Sequence, residues 1–178
     1  MYSRLCAKTS RLEMKLTPDI QELATEIIDT LRDRGETLST AESLTAGALS
    51  SAIVSISGAS DVFSGGITAY NDAIKISHLF VDPSVITQHS SISEQVALAM
   101  AHGAVKSFGT TWAISTTGVA GPHPVDQHPV GAVWVAIAGP VSQTIELSLS
   151  GGRESVRNAT TASAIATFAR ILRHLNER

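Results

Sequence analysis

The 178-residue chain holds one cysteine, Cys6, so it can close no internal disulfide and shows no thiolate metal site. Positive charge is not in excess: 13 Lys and Arg against 16 Asp and Glu give a formal net charge of −3. That leaves no broad basic footprint for nucleic acid, although a few placed cations could still hold an anionic small molecule. No apolar run is long enough to span a membrane. Residues 1–13 lack the apolar stretch of a secretory signal. These absences point to a cytoplasmic protein. The histidines are scattered without metal-ligand spacing, and there is no internal repeat or low-complexity linker.

What is present suits one folded domain. Hydrophobic residues make up 43% of the chain and charged residues 16%, enough for a substantial core. Residues 1–14 read as a poorly ordered basic tail with Arg4, Lys8 and Arg11. A second reading takes Met14 as the natural start. Residues 15–178 form the domain.

Periodicity predicts helices over 17–35, 44–56, 71–80, from 93 onward, and 154–175. Thr17 and Pro18 suit the start of the first, and Asn71 caps the third. Strands are predicted over 36–42, 65–70 and 111–117, with a late hairpin around Gly139–Pro140. Residues 81–92 read as a loop or broken turn. Early alternation followed by an antiparallel pair indicates a three-layer α/β/α domain around a mixed sheet of about five strands. Trp112 and Trp134 fall in strands and read as core or sheet-face residues. In such sheets ligands sit beyond the carboxyl ends of the strands.

Three strand-to-helix junctions carry polar groups. In "TAESLTAG", Ser43 at a helix start is either a cap or a group among free backbone donors that can hold an oxyanion. In "AYNDAIK", Lys75 lies in an early helical turn, where the dipole disfavours a cation. It is either a solvated lysine or a partly desolvated base, with Tyr70 able to relay a proton. In "STTGVAGP", Gly118 and Gly121 permit close backbone approach, and Thr116 and Thr117 offer hydroxyls. The alternative is an ordinary glycine turn. In "GGRESVR", Arg153 and Arg157 share a helical face, either solvated or facing an anion such as phosphate. His123 and His128 lie in the loop after the glycine turn, within reach of a ligand or facing solvent.

The ordered set "AESLTAG", "GGITAYNDAIK", "ISEQVALAMAHGA", "TTGVAGP", "PVGAVWVA" and "GGRESVR" resembles the CinA C-terminal domain family, also known as PncC or nicotinamide-nucleotide amidohydrolase. The resemblance implies an α/β domain with a mixed five-stranded sheet. It implies deamidation of nicotinamide mononucleotide to nicotinate mononucleotide and ammonia, without metal or organic cofactor. Ser43 would be the nucleophile, with Tyr70 and Lys75 as its activating pair. Lys75, kept neutral, would take the Ser43 proton directly or through Tyr70, and N–H groups at the helix start after Ser43 would hold the oxyanion. Thr45, Gly47, Asn71, Thr117, Gly118, Gly121, Arg153 and Arg157 are the candidate substrate contacts. The expected partner is a small nucleotide, not nucleic acid or membrane, and the expected assembly is a homodimer of the stand-alone form. Other readings of the same fold are a catalytically silent nucleotide-binding module and a competence- or damage-related interaction protein. Three positions depart from the family pattern: Ala46 replaces the first glycine of a pair, Gly152 replaces a common Asp, and the loop after Pro122 lacks extra glycines.

Overall fold

The computed structural model describes residues 18–177. The expected tail over 1–14 and the cap at Thr17 lie outside the described residues. Five strands form one sheet in the order β2-β1-β3-β4-β5, where β1 is Leu38–Glu42, β2 Phe63–Thr68, β3 Trp112–Gly118, β4 Ala132–Ala138 and β5 Gln143–Ser148. The first three are parallel, and β4 and β5 run antiparallel to their neighbours. The sheet is therefore mixed, with helices on both faces.

The strands' alternation sorts their side chains into two cores. Leu38, Trp112 and Ile114 face α1 (Pro18–Arg34), α2 (Ala48–Val54) and α6 (Arg153–Asn176), joining Ile27, Leu31, Ile53, Ile165 and Phe168. Trp112 meets Phe168 edge to face, with centroids 5.4 Å apart. Ala41 and Ala113 face the other way, toward Val96, Met100 and Ala104 of α5 (Glu94–Phe108) and Leu79 of α3 (Asp72–Leu79). Small side chains let α5 approach this face closely. At Gly103 a Cβ would stand 1.9 Å from the Leu79 carbonyl oxygen, so α3 and α5 meet backbone to backbone there.

Two boundaries differ from expectation. The helix predicted from residue 44 begins at Ala48, because Ala46 (φ 50°) and Gly47 (φ 92°) are left-handed and break the helical path. Residues 83–89, expected as loop or broken turn, form α4 (Pro83–His89). Asp82 caps it by accepting the Ser84 N–H at 2.8 Å, and Pro83 suits its first turn. Tyr70, expected to end a strand, lies just beyond β2. No helix among the described residues is long and apolar enough to cross a membrane.

After β1 the chain passes over one face through α2, and after β2 it returns over the other through α3, α4 and α5. The carboxyl ends of the central strands therefore part into a crevice, the usual ligand position in such sheets.

Candidate active site

A cleft of about 270 Å³ opens at that crevice. Ser43 and Leu44 enter it from the end of β1, Tyr70 from the end of β2, and Thr117, Gly118 and Gly121 from β3 and the turn after it. Lys75 and Asp72 come from α3, Ser91 from the connection before α5, and Arg153 from the first residue of α6. Of the residues singled out in the sequence, the cleft gathers Ser43, Tyr70, Lys75, Thr117, Gly118, Gly121 and Arg153. Thr45, Gly47, Asn71 and Arg157 do not line it.

Ser43 is not a helix cap. Its N–H extends the β1–β3 ladder by donating to the Thr116 carbonyl at 2.9 Å. Its hydroxyl has no hydrogen-bond partner among the described residues, nor have the Leu44 and Thr45 N–H groups. The donors expected at the start of α2 are already taken. Glu42, buried at the end of β1, accepts the N–H groups of Gly47 at 2.9 Å, Leu49 at 3.0 Å and Ser50 at 2.8 Å, and the Ser50 hydroxyl at 2.5 Å. A buried carboxylate so placed satisfies the helix's orphan donors and its positive end together. An oxyanion beside Ser43 would find the unfilled Leu44 N–H, not the helix terminus. This corrects the expectation that the helix start supplies the donors.

Lys75 is buried, at 3% exposure, but not as an isolated amine. Its Nζ donates to Asp72 Oδ1 at 3.0 Å and to the Ser91 hydroxyl, which in turn donates to the same Asp72 oxygen. Burial acts to raise the Asp72 pKa. The Ser91 hydrogen bond, then the hydrogen bond and charge of Lys75, outweigh it and hold the carboxyl below its ordinary range. Asp72 is therefore a carboxylate at neutral pH, and Lys75 faces a negative charge. Ser91 is pinned from behind, its carbonyl accepting the Thr117 hydroxyl at 2.7 Å.

Tyr70 does not pair with Lys75. Its hydroxyl oxygen accepts from the Arg153 guanidinium, whose Nη1 also donates to the Gly121 carbonyl at 2.6 Å. Arg153 thus ties the ends of β2 and β3 across the cleft mouth, and no carboxylate bonds it among the described residues. His123 and Asp126 of the following loop also line the cleft, and His128 does not. The remaining candidates have structural partners. The Asn71 side chain caps α3 by accepting the Ile74 N–H at 3.0 Å. Thr45 bonds Thr116 through their hydroxyls at 2.7 Å, and its carbonyl accepts Arg157 Nη2 at 2.8 Å. Among the described residues no group of three or more His, Cys, Asp or Glu is placed to hold a metal ion.

Sequence reasoning missed Asp72, Ser91 and Asp126. Asp72 had a local signal, three residues before a helical lysine. Ser91 had none, since only the packing of α3 against α5 brings it to Lys75, 16 positions away.

The sequence profile of the CinA C-terminal domain matches residues 20–172. The chain belongs to the CinA C-terminal domain family. A CinA-like protein of Rippkaea orientalis is 39% identical over 159 residues, covering 86% of this chain and 38% of that protein. One from Prochlorococcus marinus is 36% identical over 158 residues, covering 86% and 37%. The chain thus spans less than two-fifths of the length of these relatives. Among solved structures, the competence/damage-inducible protein CihA of Agrobacterium tumefaciens superposes with a TM-score of 0.84 at 34% identity, covering 90% of this chain and 99% of that one. A CinA superfamily protein of Enterobacter cloacae gives 0.85 at 27% identity, covering 93% and 99%. The five-stranded α/β architecture of this CinA domain is shared with these neighbours.

Proposed function

We propose that this CinA domain is an amidohydrolase that converts nicotinamide mononucleotide to nicotinate mononucleotide and ammonia. One observation supports this above the rest. A serine hydroxyl and a backbone N–H on the next residue, both without a partner among the described residues, share one cleft with a buried lysine at the carboxyl ends of the strands.

In this reading Ser43 Oγ adds to the carboxamide carbon, and its proton passes to Lys75 in the amine form. The new oxyanion takes the Leu44 N–H. The C–N bond breaks as the proton is delivered to the leaving nitrogen, and ammonia departs. Water then adds to the ester, the C–O bond to Ser43 breaks, and the acid leaves while the serine regains its proton. Arg153 at the mouth holds the phosphate, a planar donor fork suited to that group. The working form is taken as a cytoplasmic homodimer using neither metal nor organic cofactor.

The test is turnover of nicotinamide mononucleotide, followed as ammonia and acid product. Ser43→Ala should lose at least about 10³-fold in kcat, and Lys75→Ala should lose activity at every pH. Full turnover in Ser43→Ala would remove the nucleophile. A folded wild type that binds the nucleotide without releasing ammonia would remove the activity and leave a binding module.

A further inference from the structure

We propose that Arg157 is a positioning residue that polarises the backbone donor beside Ser43. The inference rests on the serine-amidase reading above and concerns a side chain outside the cleft.

The connections run head to tail. Arg157, at the start of the second turn of α6, donates from Nη2 to the Thr45 carbonyl at 2.8 Å. That carbonyl belongs to the amide whose N–H is Ala46's, and Ala46 donates to the Ser43 carbonyl at 3.2 Å. The Ser43 carbonyl belongs to the amide whose N–H is Leu44's. Leu44 lines the cleft, and its N–H has no acceptor among the described residues. Two amides in series thus join a guanidinium to an open donor. A donor on an amide oxygen strengthens that amide's N–H, and successive amides polarise one another. Arginine stays charged at any working pH, so the polarisation is permanent. It ends where an acyl oxyanion would form, and such a donor counts most when it is fixed beforehand.

A second observation sets this arginine apart from a simple tie between elements. Its Nε is buried with no hydrogen-bond partner among the described residues, an arrangement native proteins avoid. The Thr45 carbonyl does not need Arg157 for satisfaction, since it already accepts the Ala48 N–H at 3.1 Å. A guanidinium with a buried, unmet Nε is therefore held behind the turn although the Thr45 carbonyl does not require it. Arg153, four residues earlier, goes instead to the cleft mouth, so the two arginines divide between the ligand side and the back of the nucleophile turn.

The two roles for Arg157 predict opposite kinetics. A phosphate contact acts on KM, whereas a polariser of the oxyanion donor acts on kcat. Arg157→Met should lower kcat by about 10–100-fold, less than the roughly 10²–10³ for losing such a donor outright, with KM unchanged within about twofold. Arg157→Lys keeps the cation and one donor, so its kcat loss should be smaller, about 3–10-fold, again at constant KM. It carries the test if Arg157→Met does not fold. A second arm needs no turnover. Pyridine-3-boronic acid should form a tetrahedral adduct on Ser43, absent in Ser43→Ala, that places an oxygen on the same donor. Its affinity, read by boron NMR, should fall in both variants with their kcat, while affinity for nicotinate mononucleotide stays constant. Unchanged boronate affinity in a folded variant overturns the proposal, as does a raised KM with kcat preserved. A wild type that binds the boronate but does not turn over the nucleotide rejects that substrate and still leaves Arg157 judged by the boronate arm. A wild type that does neither rejects the serine mechanism and this proposal with it.

Discussion

Glu42→Gln probes how the nucleophile turn is held. The two side chains are nearly isosteric, so packing around the end of β1 is kept and one oxygen becomes an NH2 group. One orientation points the NH2 at Gly47 and Leu49 and strands two backbone donors now held at 2.9 and 3.0 Å. The other points it at Ser50. There the hydroxyl can turn to accept from the NH2 and donate to Thr40 Oγ1, 2.7 Å away, leaving only the Ser50 N–H unmet. The second orientation is cheaper. It orphans one part-buried donor, at about 1–3 kcal/mol, and turns three charge-assisted bonds, from Gly47, Leu49 and the Ser50 hydroxyl, into neutral ones, at about 1 kcal/mol each. The expected loss is roughly 4–6 kcal/mol, with Tm lower by roughly 8–24 °C for a domain of this size.

Urea unfolding of wild type and variant, followed by far-ultraviolet circular dichroism, measures the difference. A loss under about 1 kcal/mol at an unchanged slope would refute the anchoring role, because the charge assistance lost at the buried Leu49 N–H and its neighbours should alone exceed it.

Asp72 makes stability and pH covary. Its folded pKa is lowered, so its contribution is complete above its unfolded value of about 3.9 and is lost as pH falls through the lower folded value. The stability gap between wild type and Asp72→Asn should therefore be constant at neutral pH and close below about pH 4. A gap that stays constant down to pH 2 would show that the carboxylate form is not what stabilises. Ala46→Gly should stabilise slightly. Ala46 is exposed at φ 50°, and relief of about 1–2 kcal/mol of left-handed strain exceeds glycine's entropic penalty of about 0.5–1 kcal/mol. Loss of more than about 1 kcal/mol in the same urea experiment would contradict this.

The sequence made the helices with an apolar stripe legible, and the strands that alternate between two cores. It hid α4, which buries none of its residues and so writes no helical period into its hydrophobicity. The site was legible where it sits at strand ends, since β1, β2 and β3 deliver Ser43, Tyr70 and Gly118 to one edge of the sheet. It was not legible where a contact depends on how elements pack. Lys75 meets Ser91 because α3 lies on α5, and Arg157 meets Thr45 because α6 lies on the turn before α2. Spacing placed Arg153 and Arg157 on one helical face and could not say that their long side chains part toward different targets. Ala46 was visible as a departure from the family's glycine, and its positive φ gives the physical reason a glycine suits that position.

The division of labour around Ser43 follows from where Glu42 spends its acceptors. A helix start beside a nucleophile would ordinarily supply both donors and positive potential to an oxyanion. Here a buried carboxylate uses the donors and cancels the potential, which secures α2 but removes it from any chemistry. Positive charge near the serine must then come from the two arginines of α6, Arg153 at the mouth and Arg157 behind the turn. These stand on different turns of one helix, so each can be altered without unwinding the element that presents Ser43. Stability of the turn and its electrostatic setting are thereby assigned to different residues. Loss of Glu42 should appear first in unfolding, and loss of Arg157 first in kcat.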